Sequence, residues 1–295
     1  MISILIPVYE YEIYNLVSNL NKQCIALKIN FEIIVLDDAS KEPYSKNNEV
    51  NELANCHYTI LKTNIGRSAI RNLLAKKAIY ENLLFLDSDT LPLHFNFISN
   101  YISKINLEEK IVYGGIEYQK EKPELDKTLR WVYGNLREAL PVKERNKSPY
   151  LTFLTLNFLI KKSVFEKVSF NEDIPNFRHE DTLFSYDLMK KNITIEHIDN
   201  PVLHLGIDYT DTFLIKSEEA IKNLDFLIKN NLIDYKYVKL SKLFYWLKKT
   251  GIRFIISYLF QVYRKKLLKN SHNPNPSLFL FDLYRIGYFC NLKLK

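Results

Sequence analysis

The chain has 295 residues, of which 47% are hydrophobic, and a formal net charge of +7 at pH 7. This length and apolar content allow one or two domains with a substantial core. The seven glycines include no Gly-x-Gly-x-x-Gly and no Gly-Lys-Ser/Thr arrangement, which argues against a dinucleotide dehydrogenase and a P-loop NTPase.

The cysteines and the N-terminal residues indicate the compartment. Cys24, Cys56 and Cys290 are few and widely spaced, as expected of a reduced protein without a structural zinc site. Residues 1–7 show no basic segment and no long apolar run, and no stretch approaches the ~18 apolar residues of a membrane span. We therefore expect a cytoplasmic protein.

The positive charge is concentrated near the C-terminus. Residues 236–295 contain 13 Lys or Arg and one acid, Asp282, for a net charge of +12. Residues 1–235 contain 28 basic and 33 acidic residues, for a net charge of −5. This distribution does not favour a uniformly basic nucleic-acid-binding protein, so no nucleic acid partner is predicted.

The first ninety residues alternate between apolar runs and amphipathic stretches. Strands are predicted at residues 2–6, 31–36, 58–61 and 83–86, with helices at the 3.6-residue period between them. Pro7 is expected to end the first strand, because proline cannot continue a central ladder. The alternation is typical of a parallel α/β sheet.

Acidic residues follow three of these strands, in Tyr9-Glu10, Asp37-Asp38 and Asp87-Ser88-Asp89. The carboxyl ends of parallel strands share one edge, so the carboxylates should converge there. Anions in such proximity repel unless a cation lies between them, which favours a hard divalent ion with oxygen ligands. The alternative is that Asp87 and Asp89 only cap the next element.

Four ordered segments carry a family resemblance: Ile-Pro-Val-Tyr, Val-Leu-Asp-Asp-Ala-Ser, Asn-Ile-Gly-Arg-Ser-Ala-Ile-Arg-Asn and Leu-Phe-Leu-Asp-Ser-Asp. In order and spacing they resemble family 2 glycosyltransferases of the GT-A fold, over roughly residues 1–205. The resemblance implies a mostly parallel α/β sheet flanked by helices, with a nucleotide-sugar half (1–92) and an acceptor half (93–209). A helical basic tail (210–295) would follow.

The same resemblance implies inverting transfer of a sugar from a nucleoside diphosphate sugar, with Mn²⁺ or Mg²⁺ on the diphosphate. It assigns to the nucleotide sugar the residues Pro7, Val8, Tyr9, Glu10, Asp38, Gly66, Arg71, Asp87 and Ser88. Asp89 would ligate the metal, and Asp87 would reach the ribose or a metal-bound water. Glu10 stands where many relatives carry asparagine. For Arg71 the alternative is an ordinary arginine on a helix surface.

The second half contains a predicted strand at 111–118, a charged helix at 126–139 and a strand at 151–160 interrupted by Asn157. Glu180 and Asp181 then precede an amphipathic helix, where acidic residues are common caps. In the family, Glu-Asp at this place is the acceptor and base motif. The resemblance thus implies that Asp181 is the general base and that Glu180 positions the acceptor or shares the role.

Three further residues of the acceptor half carry predictions. Arg178 and His179 stand where relatives often have glycine, so the choice of acceptor would differ here. His204 matches by order a histidine that completes the metal shell in several GT-A enzymes. The alternative for His204 is a structural histidine.

After a predicted helix at 210–229, apolar residues between 240 and 262 fall on one stripe with lysines mostly elsewhere. This pattern predicts a helix lying in the interface of an anionic membrane. The alternative is a helix that packs on the catalytic domain.

These interpretations predict a transferase of polysaccharide biosynthesis at the inner face of the cell membrane, acting on a glycan or lipid-linked acceptor. Two alternatives remain: a sugar nucleotidyltransferase, whose Gly-rich N-terminal signature is absent, and a non-catalytic nucleotide- or glycan-binding module held at the membrane.

Overall fold

The computed structural model describes residues 1–174 and 179–292, so Arg178 of the sequence prediction lies outside the described residues. The described chain forms two compact units. The first contains Met1–Tyr118, residues 139–174 and Glu180–Gly206; the second contains Gln119–Glu138, His179 and residues 207–292.

The first unit is built on a mixed sheet. Its strands are β1 (Ile2–Val8), β2 (Phe31–Asp37), β3 (Cys56–Ile60), β4 (Asn82–Leu86), β6 (Lys110–Tyr113), β8 (Asn157–Lys161) and β9 (Thr194–His197). In the described residues they are ordered β3-β2-β1-β4-β8-β6-β9. The pairs are parallel except those of β8 with β4 and β6. The predicted mostly parallel α/β architecture is confirmed.

A small second sheet lies beside the candidate site. It consists of β5 (Thr90–Pro92), β7 (Ile116–Glu117) and β10 (Val202–His204), in the order β5-β10-β7. Antiparallel pairing of β10 with β5 sets His204 opposite Thr90, one residue after Asp89. Neither β5 nor this sheet was predicted, because three-residue strands carry too little periodicity to be recognised.

The helices of the first unit are α1 (Tyr14–Ala26), α2 (Arg67–Lys77), α3 (Phe97–Ile102), α5 (Val142–Arg145), α6 (Lys162–Val168) and α7 (Glu180–Lys190). Helices α2, α6 and α7 share one core with the sheet, in which Leu74, Phe165 and Phe184 are buried. Each such side chain contributes roughly 1.5–3 kcal/mol by leaving water. This shared core brings the N-terminal turns of α2 and α7 to one region.

The prediction that β1 ends at Pro7 is wrong. Strand β1 pairs with β2 as far as Val8, whereas its pairing with β4 extends only over Ser3–Leu5. The Val8 carbonyl accepts from Asp38 on the β2 side. Successive residues of a strand direct their backbone groups to opposite sides, so Pro7 faces the β4 side, where pairing ended at Leu5. The missing N–H of Pro7 therefore removes no hydrogen bond from the sheet.

The predicted strand at 111–118 is interrupted, and its two parts, β6 and β7, belong to different sheets. The break is at Gly114 and Gly115, where Gly115 has φ +101°. A Cβ on Gly114 would lie 2.3 Å from the Asn200 carbonyl oxygen. Asn157 begins β8 instead of interrupting a strand, and its side-chain amide donates to the carbonyls of Gly115 and Asn200.

The second unit is helical in the described residues, with α4 (Thr128–Tyr133), α8 (Thr210–Lys229), α9 (Lys239–Lys249), α10 (Arg253–Ser271) and α11 (Leu278–Leu292). The predicted helix at 126–139 is shorter and passes into a π-helical turn, Gly134–Glu138. The predicted stripe at 240–262 spans two helices, because Gly251 adopts φ +77° between them. Among the described residues, no helix has both the length and the apolarity needed to cross a bilayer.

Candidate active site

Arg71 lies at the centre of the candidate site. Its side chain on α2 is 7% exposed, and its Nη2 donates to Asp87 Oδ1 at 2.7 Å. Its guanidinium also lies 5.4 Å from the centroid of the Phe170 ring. The alternative of an ordinary surface arginine is therefore wrong: Arg71 is a buried cation that holds the first carboxylate of the Asp-x-Asp segment.

The same guanidinium reaches the acceptor motif. Glu180 Oε1 lies 3.9 Å from Arg71 Nη1 and 3.4 Å from Arg67 Nη1. Arg71 thus has a carboxylate of each predicted half of the site within ion-pair distance. Burying one cation between two acids in this way offsets much of the desolvation cost that each charge would carry alone.

Asp181 follows Glu180 in the first turn of α7 and is partly buried. Its Oδ1 accepts from the backbone N–H of Thr182 at 2.7 Å. Burial raises the pKa of Asp181 from 3.8 to about 6, with a further contribution from the negative charge of Glu180. A carboxyl group with this pKa is ionised at pH 7 and is a stronger base than an exposed aspartate.

The raised pKa predicts a stability gain from Asp181→Asn. A carboxyl whose pKa is higher in the folded protein loses stability when it ionises, so the cost is absent below about pH 4 and complete above about pH 6. At pH 7.5 the amide should raise the free energy of unfolding by about 1–3 kcal/mol, since one pKa unit corresponds to about 1.4 kcal/mol. Urea unfolding at pH 7.5 and pH 4 measures this difference.

Glu180→Gln provides the matched control for that prediction. The same loss of one negative charge removes a partner of Arg71 and Arg67, so stability should fall instead of rise. If Asp181→Asn also destabilised the protein at pH 7.5, the raised pKa of Asp181 would be contradicted.

Asp38 organises the loop that begins α2. Its Oδ1 accepts from the Ile65 N–H at 2.7 Å and its Oδ2 from the Gly66 N–H at 2.9 Å. Gly66 has φ +85°, a conformation that favours glycine, and α2 starts at the next residue. Asp38 and Gly66, both predicted to contact the nucleotide sugar, are thereby linked to one another at the same sheet edge.

The segment after β1 lies at this edge as well. Tyr9 is 45% exposed, so part of its side chain is accessible to a ligand at this edge. Glu10 has φ +50°, and its N–H donates to Ser40 Oγ at 2.7 Å. Asp37, in contrast, is buried and accepts from the Tyr58 hydroxyl and the Ser40 N–H, which fixes the turn after β2.

Asp89 and His204 meet across the small sheet. The Asp89 Oδ2 to His204 Nε2 distance is 3.3 Å, and the side chains are 30% and 13% exposed. The Leu205 N–H donates to the Asp89 carbonyl at 2.8 Å, which ties the two segments together. Burial raises the pKa of Asp89. A Cβ on Gly206 would lie 2.2 Å from Asp89 Oδ2, so a side chain at this position would displace the Asp89 carboxylate.

Asp89 and His204 are placed so that both could contact one divalent ion. Two ligands at about 2.1 Å from an octahedral ion and at right angles to one another lie about 3 Å apart. The observed 3.3 Å is close to that separation. His204 Nδ1 is buried and has no hydrogen-bond partner among the described residues.

Asp89 and His204 alone would form only part of a coordination shell. Within residues 1–174 and 179–292, no three His, Cys, Asp or Glu side chains are grouped as a metal site. Mg²⁺ and its analogues often take one or two protein ligands and complete their shell with substrate phosphates and water. Asp87 is directed to Arg71, so its predicted metal contact remains a prediction.

Two residues of this site were not predicted from the sequence. Arg67 lies one residue after Gly66 and pairs with Glu180, although its place on an exposed helix start gives no sign of this. Thr90 donates its hydroxyl to the Asp87 carbonyl at 2.7 Å and closes the turn that carries both aspartates. A threonine directly after Asp-Ser-Asp is the signal that would have indicated such a turn.

The sequence model of the family described as Glycosyl transferase family 2 matches residues 3–169. The chain belongs to this family. The predicted resemblance is thus confirmed, and the match covers β1–β4, the Asp-x-Asp segment and α2. Membership of a glycosyltransferase family also argues against a sugar nucleotidyltransferase.

Relatives of this glycosyltransferase include an uncharacterized glycosyltransferase of Haemophilus influenzae, 28% identical over 205 residues, which are 65% of this chain and 72% of that protein. Mannosyltransferase PcManGT from Pyrobaculum calidifontis, solved with GDP-Man and Mn²⁺, matches with a TM-score of 0.55 at 15% identity. The match covers 77% of this chain but 64% of the mannosyltransferase, less than two thirds. TarS 1-349 of S. aureus, solved with UDP-GlcNAc, gives a TM-score of 0.50 at 18% identity, covering 97% and 90%. At these identities the structural likeness shows the fold.

Proposed function

We propose that this family 2 glycosyltransferase performs an inverting, metal-dependent transfer from a nucleoside diphosphate sugar to a hydroxyl group of a glycan or lipid-linked acceptor. The supporting observation is the buried Arg71, which has Asp87 and Glu180 within ion-pair distance. Arg71 thereby links the predicted donor motif to the predicted acceptor motif. A single displacement needs donor and base in such proximity.

The proposed reaction is a single displacement that forms no covalent enzyme intermediate. Asp181 takes the proton of the acceptor hydroxyl while the oxygen of that hydroxyl attacks C1 of the sugar. The bond from C1 to the diphosphate oxygen breaks on the opposite face, which inverts the anomeric configuration. Glu180, held by Arg67 and Arg71, would orient the acceptor beside Asp181.

On the donor side, Asp38, Gly66 and the Tyr9 ring would hold the nucleoside, with Pro7, Val8, Glu10 and Ser88 around it. Asp89 and His204 would hold Mn²⁺ or Mg²⁺, which when bound spreads the negative charge of the diphosphate. Asp87 and Arg71 would then lie next to the ribose and the diphosphate.

The direct test is a donor screen. Purified protein with Mn²⁺ is incubated with a panel of nucleoside diphosphate sugars, and the released nucleoside diphosphate is measured with and without saccharide or lipid-linked acceptors. We expect slow release with one donor and a large increase with the correct acceptor. Product NMR then reports the anomeric configuration, and retention would overturn the inverting mechanism.

The screen also separates an enzyme from a non-catalytic module. Such a module would bind a nucleotide sugar in titration calorimetry and release no nucleoside diphosphate with any acceptor. We place the reaction in surface polysaccharide biosynthesis at the inner face of the cell membrane, where the basic tail would keep the enzyme close to lipid-linked acceptors.

A further inference from the structure

Helix α9 has an outward face that combines cations with large apolar side chains. Ser241, Phe244 and Leu247 are buried on one side of the helix. The opposite side exposes the residues Lys239, Lys242, Leu243, Trp246 and Lys249. Their spacing of three and four residues places them on a single stripe.

Helix α10 also exposes apolar and basic side chains, the apolar ones in its first half and the basic ones in its second half. Its inward side is marked by the buried Ser257 and Phe260. The exposed stripe is apolar in the first half and basic in the second, with the residues Ile255, Tyr258, Leu259, Val262, Lys266 and Lys269. We call these two stripes, on α9 and α10, the basic-apolar face.

The apolar residues of this face are unusually accessible. Leu243, Trp246, Ile255, Tyr258, Leu259 and Val262 are each between 41% and 67% exposed. A soluble surface normally scatters such residues singly, and clusters of them mark an interaction surface. Tryptophan and tyrosine in particular prefer the boundary between water and the hydrocarbon of a bilayer.

The charge of the face selects the kind of partner. Residues 236–292 contain eleven Lys or Arg and one acid, Asp282, which pairs with Arg137 and Arg285. Lys239, Lys242 and Lys249 form no ion pair within the part of the chain that the structure describes. A face with free cations around an apolar centre is complementary to an anionic, apolar surface.

We propose that the basic-apolar face of α9 and α10 binds an anionic lipid bilayer, with Leu243 and Trp246 inserted among the acyl chains and the lysines on the headgroups. This deepens the proposed function, since it names the surface through which the enzyme would reach lipid-linked acceptors.

The test uses the full-length chain and vesicles of phosphatidylcholine with or without about one third phosphatidylglycerol. We expect co-sedimentation with the anionic vesicles and little with the neutral ones. Binding should weaken between about 0.1 M and 1 M salt, because the Debye length falls from ~10 Å to ~3 Å. A protein that stays in the supernatant with anionic vesicles at low salt overturns the proposal.

Matched variants locate the surface. The triple variant Lys239→Gln, Lys242→Gln, Lys249→Gln should lose about 100-fold in vesicle affinity, since each interfacial cation contributes about fivefold. The control is Lys76→Gln, Lys77→Gln, Lys143→Gln, which makes the same charge change on exposed residues of the first unit. Equal losses in the two variants would show general electrostatic attraction and overturn the assignment to α9.

Tryptophan fluorescence tests the insertion. The chain has two tryptophans, so Trp131→Phe leaves Trp246 as the reporter. Anionic vesicles should shift its emission to shorter wavelength, and lipids brominated on the acyl chain should quench it. A shift that depends on protein concentration without vesicles, with a dimer in sedimentation velocity, would identify a second copy as the occupant and overturn the proposal.

The test of membrane binding can fail independently of the test of the transferase reaction. Vesicle binding without nucleoside diphosphate release from any donor would refute the transferase reaction alone. Release of nucleoside diphosphate with a soluble acceptor, by a protein that does not bind vesicles, would refute the membrane-binding proposal alone.

Discussion

Asp181→Asn should lower the turnover number about 10²–10⁴-fold, the usual contribution of a positioned general base. The amide keeps the size and the hydrogen-bonding oxygen of the side chain, yet it cannot take the proton of the acceptor hydroxyl. Donor affinity should change little, because the residue is assigned to the acceptor. Steady-state kinetics together with calorimetric titration of the donor separate the two effects.

The pH dependence gives a second readout of the same residue. Because the pKa of Asp181 is raised to about 6, the ionised form that the proposed base role requires is half populated near that pH and is lost below it. Turnover should therefore fall about tenfold per unit as the pH decreases below 6, and this limb should be absent from the residual activity of Asp181→Asn.

Asp187→Asn is the matched control for Asp181. It makes the same change on the same helix, at a carboxyl whose pKa is also raised by burial. It should leave turnover and its acid limb unchanged. If donor affinity and turnover fell together in Asp181→Asn, the residue would belong to the nucleotide site or to the fold instead of the proton transfer.

Asp89→Asn should remove Mn²⁺-dependent donor binding and turnover, leaving the fold intact. In the proposed site the Asp89 carboxylate and His204 Nε2, 3.3 Å apart, would hold one divalent ion together. Mn²⁺ with a nucleoside diphosphate should raise the Tm of the wild-type protein, and this shift should be absent in Asp89→Asn. The Tm shift depends on binding alone, so it does not require an identified acceptor.

Two comparisons sharpen the metal test. His204→Gln should weaken the same Tm shift, whereas His57→Gln, on the exposed side of β3, should not. Asp87→Asn should weaken it less than Asp89→Asn, because Asp87 is paired with Arg71. Wild-type turnover of Asp89→Asn under the same Mn²⁺ would contradict the assignment, and full activity after removal of divalent ions would contradict metal dependence.

Much of the first unit could be predicted from the sequence, because its strands and helices repeat at clear periods. The buried runs of β1, β2 and β4 and the amphipathic helices α1 and α2 lie within a few residues of their predicted bounds. Placing Asp38 and Asp89 at one sheet edge needed only the rule that parallel strands end together. The four ordered motifs were sufficient to predict the family, which the family match confirmed.

The contacts at the site were decided by the tertiary structure. Arg71 and Glu180 are separated by more than a hundred residues, and no local pattern indicates that α2 and α7 pack on one core. Likewise, His204 reaches Asp89 only through β5 and β10, strands too short to show a period. Residues far apart in the chain are paired by packing and desolvation, which depend on the whole core and not on the local sequence.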